Sequence, residues 1–130
     1  MNSRKLILIV DDDIDFISQI KLYCEKFGYE TMTATSENEA LELIKTRKPD
    51  LAMLDLMMEK DDSGFILSYK IKQKYPDVPV IIATAVTSET GLIFGVESHE
   101  EQQWIKADLI MEKGVRPDQL QREIKRLLKE

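Results

Sequence analysis

Three adjacent aspartates, a fourth aspartate, a threonine and a lysine stand at the ends of apolar runs in this chain. "LILIVDDD" carries five apolar residues into Asp11, Asp12 and Asp13, and "PDLAMLDLMM" sets Asp55 inside an otherwise apolar stretch. "VPVIIATAV" brings up Thr84, and "ADLIMEK" ends on Lys113. Clustered carboxylates repel, and each raises the proton affinity of the others. A carboxylate within an apolar run costs free energy unless a cation or a donor meets it. A hard divalent ion answers both problems, and Mg2+ in particular takes oxygen ligands, accepts few of them from protein and keeps several waters. Asp12 and Asp55 are the expected direct ligands, with Asp11 binding directly or through water and Met57 adding its backbone carbonyl. Asp13 lies one residue further along and is expected to face solvent or to start a helix, where acids are favoured.

A magnesium site beside a carboxylate, a lysine and a hydroxyl is suited to phosphoryl transfer, whose chemistry is mostly positioning and charge neutralisation. Asp55 fits the nucleophile, as aspartate does wherever an acyl phosphate forms. The metal and Lys113 would stabilise charge on the transferring oxygens, and Thr84 would hydrogen-bond the arriving group. Strands also end in polar residues simply because loops are wet. That explanation suffices for any one of these residues but not for acids, hydroxyl and amine delivered together by four strands.

The elements that must position them alternate. "KLILIV" (5–10) reads as a buried strand, continuously apolar and β-branched. Ile14, Ile17, Ile20 and Cys24 follow at helical spacing, and Gly28 supplies a stop. "YETMTAT" (29–35) is a weaker strand, and "SENEALELIKTRK" (36–48) a helix opened by Ser36 and Glu39 as a capping box, with Ala40, Leu41 and Ile44 inward. Strands over 49–56, 78–86 and 107–113 and helices over 63–75 and 116–130 complete the pattern. Phe65, Ile66, Tyr69 and Ile71 line the first of these helices, and Leu120, Ile124, Leu127 and Leu128 the second, where Pro117 suits the first turn. Segment 87–106 must hold a further crossover helix whose limits are obscured by two glycines and a polar run. Five apolar strands separated by helices imply an α/β fold, a doubly wound parallel sheet in flavodoxin-like order 2-1-3-4-5 with helices on both faces. In such sheets ligands bind beyond the carboxyl ends of the strands, which is where the polar set stands.

Bulk properties agree with one domain over 1–130. Hydrophobic residues make up 43% and charged residues 32% of the chain. The net charge of −6 argues against direct nucleic-acid binding and suits a cation in an acidic pocket. The lone Cys24 permits no internal disulfide and fits a reducing compartment and a buried structural thiol. No apolar run is long enough for a membrane span and no secretory signal is visible, so the chain is read as cytoplasmic.

"LIVDDD", "PDLAMLDLMM", "VPVIIATA" and "ADLIMEK", in this order and at these separations, resemble the receiver domain of two-component response regulators over essentially the whole chain. The resemblance implies a phosphoprotein that takes a phosphoryl group on Asp55 from a sensor histidine kinase or phosphotransfer protein. It assigns Asp11 and Asp12 to the metal-binding pair, Thr84 to the switch hydroxyl and Lys113 to the phosphate-pairing lysine. It also implies a switch that reshapes the face of the fourth helix, fifth strand and fifth helix, with no separate substrate turned over.

Four features depart from the family pattern. Glu59 replaces a usual proline in a loop, "EKDDSG", that looks one residue long and could tune metal affinity. Gly114 replaces the proline after the lysine, so a trans peptide is expected there, with glycine supplying an unusual but unstrained backbone. Ile110 replaces an aromatic three residues before Lys113, and the interval from Thr84 to Lys113 is several residues long. Within that interval Phe94 and Trp104 read as core residues or as a partner surface, and His99 as a solvated loop residue. Met57 and Val86, two positions after Asp55 and Thr84, are apolar where receivers vary, and cannot orient the water that hydrolyses an acyl phosphate.

The alternative is a pseudo-receiver, a phosphorylation-independent interaction module on the same fold, which these departures favour and the full Asp11, Asp12, Asp55, Thr84, Lys113 set opposes. A haloacid-dehalogenase-type phosphatase would need an aspartate where Met57 stands, and a flavin carrier would need Gly, Ser and Thr in the acidic first loop. No output domain is visible within the chain, leaving an unknown output protein and an open question of homodimerisation through the fourth and fifth helices.

Overall fold

A computed structural model of the chain describes residues 4–56, 58, 63–84, 107–114 and 116–130. Its elements run β1 (Leu6–Val10), α1 (Ile14–Lys26), β2 (Glu30–Ala34), α2 (Glu37–Thr46), β3 (Leu51–Asp55), α3 (Ser63–Lys74), β4 (Val80–Thr84), β5 (Leu109–Glu112) and a C-terminal helix, here α4 (Pro117–Leu128). The strands form one parallel sheet in the order β2-β1-β3-β4-β5, as the alternation predicts. The fold is the flavodoxin-like α/β sandwich, and Phe94, His99, Trp104 and the expected further crossover helix lie outside the described residues.

Alternation along the strands divides the core in two. Leu8, Val10, Leu54 and Ile82 point to the side covered by α2 and α3, where Ala40, Ile44, Phe65, Leu67 and Ile71 are buried. Ile7, Ile9, Met53 and Ile81 point to the other side, covered by α1 and α4 through Phe16, Ile17, Ile20, Cys24, Leu120 and Ile124. The central strands are buried throughout because both faces are covered, which is why they are apolar without interruption. Two carboxylates tie the opposite, amino-terminal edge: Asp50 accepts the Leu6 N–H and Asp108 the Val80 N–H, each at 2.7 Å.

Local sequence sets the helix limits. The Asp13 side chain accepts the N–H groups of Asp15 and Phe16 at 3.0 and 3.3 Å and so caps α1, whose far end is followed by Gly28 at φ 96°. Ser36 caps α2 by accepting the Glu39 N–H at 3.1 Å. Glu39 reaches back to Thr35, one residue short of the cap itself, so the expected capping box closes on a different donor.

Some expected faces are corrected. Ile14 is 66% exposed, while Phe16 joins Ile17, Ile20 and Cys24 inside. At about 100° per residue the buried arc spans Phe16 to Ile17, and Ile14 falls roughly 60° outside it. On α3, Tyr69 is exposed and Leu67 and Ser68 take the inward positions. The fifth strand ends at Glu112, so Lys113 belongs to the following turn.

Candidate functional site

Parallel register brings the expected polar residues to one edge. Val10 pairs with Leu54, so Asp11 and Asp55 emerge side by side from neighbouring strands. Asp55 pairs with Ala83, which sets Thr84 one position further along β4, buried at the same edge. Thr84 pairs with Glu112, and its carbonyl accepts the Lys113 N–H at 2.9 Å, anchoring the lysine backbone at the strand end.

Asp11 is fully buried, and its Oδ1 accepts the Asp13 N–H at 2.8 Å. Asp12 is exposed, and Asp55 is 5% exposed. One carboxylate oxygen from each of Asp11, Asp12 and Asp55 lies within 4.8 Å of the others. The Lys113 ammonium reaches into this cluster, 2.8 Å from Asp11 Oδ2 and 3.2 Å from Asp55 Oδ1.

The electrostatics follow from burial and crowding. Burial first, then the Asp11 charge, pushes the Asp55 carboxyl up from 3.8 to about 6; Lys113 opposes the shift and Asp12 adds to it. Burial alone would lower the Lys113 ammonium, but its hydrogen bond to Asp11 and the charges of Asp11 and Asp55 outweigh that and hold it above the ordinary lysine value. Three carboxylates against one ammonium leave the pocket acidic. The donors are all hard oxygens, so the residues fit a small divalent ion such as Mg2+.

Asp11, Asp12, Asp55 and Lys113 are therefore drawn together as expected, with Thr84 beside them by register. Met57, Glu59 and Val86 lie outside the described residues. The Lys113–Gly114 peptide is trans, as expected. The expectation of an unusual glycine backbone is corrected: Gly114 has no positive φ, and a Cβ there would meet nothing within 4 Å.

Two neighbours were not foreseen. The Phe16 ring centroid lies 4.9 Å from the Lys113 ammonium. Gly64, in the first turn of α3, donates its N–H to the Leu56 carbonyl at 2.7 Å, directly beneath Asp55. The available signal for each was position alone: an aromatic, or a glycine, in the first turn of a helix that leaves an acidic strand end.

The sequence profile of the response regulator receiver domain matches residues 7–125. The chain belongs to that family. This receiver is 31% identical over 126 residues to the alkaline phosphatase synthesis transcriptional regulatory protein PhoP of Bacillus subtilis, covering 97% of this chain and 49% of that one. It is 34% identical over 127 residues to the phosphate regulon transcriptional regulatory protein PhoB of Pseudomonas aeruginosa, covering 96% and 52%. The chain thus spans about half the length of these curated relatives. Among solved structures it matches the CheY-like response regulator receiver domain protein of Methanospirillum hungatei with a TM-score of 0.81 at 30% identity, covering 98% of this chain and 95% of that one. The receiver domain of NtrX from Brucella abortus matches with a TM-score of 0.79 at 27% identity, covering 95% and 98%. As a receiver of the two-component response regulators, the chain is a signalling domain rather than an enzyme that turns over a separate substrate. Among the described residues no helix is long and apolar enough to cross a membrane.

Proposed function

We propose that this receiver accepts a phosphoryl group on Asp55 from a phosphohistidine of a sensor histidine kinase or phosphotransfer protein, with Mg2+ in the acidic pocket. The observation that carries the reading is the convergence of the Asp11, Asp12 and Asp55 carboxylates with the Lys113 ammonium at one strand edge. A carboxylate oxygen of Asp55 attacks phosphorus, the nitrogen–phosphorus bond of the donor breaks, and the imidazole leaves with its electron pair. The product is an acyl phosphate. Asp11, Asp12, Asp55 and the Met57 backbone carbonyl would hold the metal. When bound, the ion would offset charge on the phosphoryl oxygens. Lys113 follows Asp55 to the new phosphate as the carboxylate charge is consumed, and Thr84 donates its hydroxyl to a phosphate oxygen. Met57, Glu59 and Val86 are assigned as residues that modulate this chemistry.

On this reading, residues 1–130 act as one cytoplasmic receiver unit that signals through a changed surface to an output protein or domain, without itself binding nucleic acid or membrane. The net charge of −6 supports the exclusion of direct nucleic-acid binding. Incubation with acetyl phosphate and Mg2+ should add one phosphoryl group by intact mass, and Asp55→Asn should add none. An unlabelled wild type that still captures its partner would favour the pseudo-receiver instead.

A further inference from the structure

We propose that Phe16 is a positioning residue for Lys113, holding the ammonium over the pocket through the face of its ring. The inference rests on the phosphoacceptor reading above and adds to it the group that aims the lysine.

A lysine side chain turns about four bonds, and its ammonium is a compact charge with no preferred direction. Its aim must come from its surroundings. The backbone of Lys113 is fixed on one side by the hydrogen bond to Thr84, but on the other side Gly114 carries no side chain, and a Cβ there would meet nothing within 4 Å. Of the side-chain partners, Asp11 and Asp55 are the groups that a cation and a phosphoryl group would engage, so their hold on Lys113 weakens when the site is used. Phe16 is independent of that chemistry. Its ring centroid lies 4.9 Å from the ammonium, inside the range where the quadrupole of an aromatic face attracts a cation.

Phe16 is itself rigidly placed. It is 8% exposed, packed in the α1 side of the core, and its N–H is taken by the Asp13 cap. The placement therefore runs from the Asp13 carboxylate to the first turn of α1, from there to the Phe16 ring, and across to Lys113. A ring at this position attracts the ammonium whether or not the carboxylates are occupied.

The experiment has two arms. In metal-free, unphosphorylated protein, the ε-methylene protons of Lys113, assigned by their loss in Lys113→Met, should be shifted upfield by the ring and should return to ordinary lysine values in Phe16→Leu. In the second arm, mono-, di- and trifluorinated phenylalanine at residue 16 keep the shape of the side chain while draining the ring face. Labelling of Asp55 by acetyl phosphate should slow stepwise, by about threefold to tenfold across the series, while thermal stability holds. Absence of the upfield shift overturns the inference, and so does an unchanged rate across the series when the unsubstituted protein labels normally. An unsubstituted protein that takes no label sinks the acceptor reading instead, and the ring shift alone then decides whether Phe16 holds Lys113.

Discussion

Gly64 stands against the backbone of Asp55 so closely that a Cβ at residue 64 would lie 2.5 Å from the Asp55 carbonyl oxygen. The same atom would lie 2.7 Å from the Leu56 Cα. Helix α3 thus begins directly on the peptide that carries the acceptor, and only a residue without a side chain lets it sit there.

Gly64→Ala should therefore cost stability and activity together. The methyl group meets the Asp55–Leu56 backbone, which cannot rotate away as a side chain could, so overpacking of about 1–3 kcal/mol is expected in urea unfolding. Because the strain falls on the Asp55–Leu56 peptide, labelling by acetyl phosphate should slow even at temperatures where the variant is fully folded. Full stability in Gly64→Ala would mean that α3 retreats without effect.

Asp55 makes metal-free stability depend on pH. Burial first, and then the charge of Asp11, pushes its carboxyl up from 3.8 to about 6 when folded. Between those values the folded chain keeps a proton that the unfolded chain has lost, so stability falls as pH rises through that window and is level above it. The loss is on the order of 3 kcal/mol. Asp55→Asn carries no such charge and should be more stable than wild type at pH 7 in a chelator, with the difference shrinking as pH falls towards the ordinary aspartate value. Parallel pH profiles for the two proteins would rule this out.

Magnesium should reverse that penalty. Binding to the folded chain alone raises stability by about 2.7 kcal/mol at a hundredfold excess over the dissociation constant. The rise in melting temperature should be larger at pH 7 than at pH 5, where the proton on Asp55 competes with the ion. Asp12 is exposed and outside the core. Asp12→Ala should therefore melt like wild type without metal and lose most of the magnesium response, measured by calorimetry or thermal shift.

How much of this was legible beforehand divides along physical lines. Strand order and the polar edge were readable because buried parallel strands are apolar throughout, so Asp55 stood out within "LAMLDL". Which side of a helix turns inward was less so, as Ile14 and Tyr69 illustrate: both are apolar enough for the core, yet both fall outside the buried arc of their helix. Phe16 and Gly64 were missed as site residues because their roles depend on what lies across from them, Lys113 and the Asp55 backbone, separated in sequence from them by 97 and 9 positions respectively. Spacing along one element does not encode that distance. The cap on α1 was half visible, since Asp13 could be read as facing solvent or starting a helix, and it does both.

The residues that follow the acceptor and the threonine should set how long the signal lasts. Met57 and Val86 are both apolar and offer no hydrogen bond to a water approaching the acyl phosphate in line. Hydrolysis of that bond needs a placed water, so the phosphorylated protein should decay slowly. Replacing Met57 by asparagine supplies a carbonyl and an amide of about the right reach, and Met57→Asn should shorten the lifetime by about fivefold, the size of one neutral hydrogen bond. Val86→Ala, which removes bulk without adding a polar group, should change it less. The check is the decay of label in purified phosphoprotein at constant magnesium, after the donor is removed. Equal lifetimes in wild type and Met57→Asn would show that the water is placed by other groups.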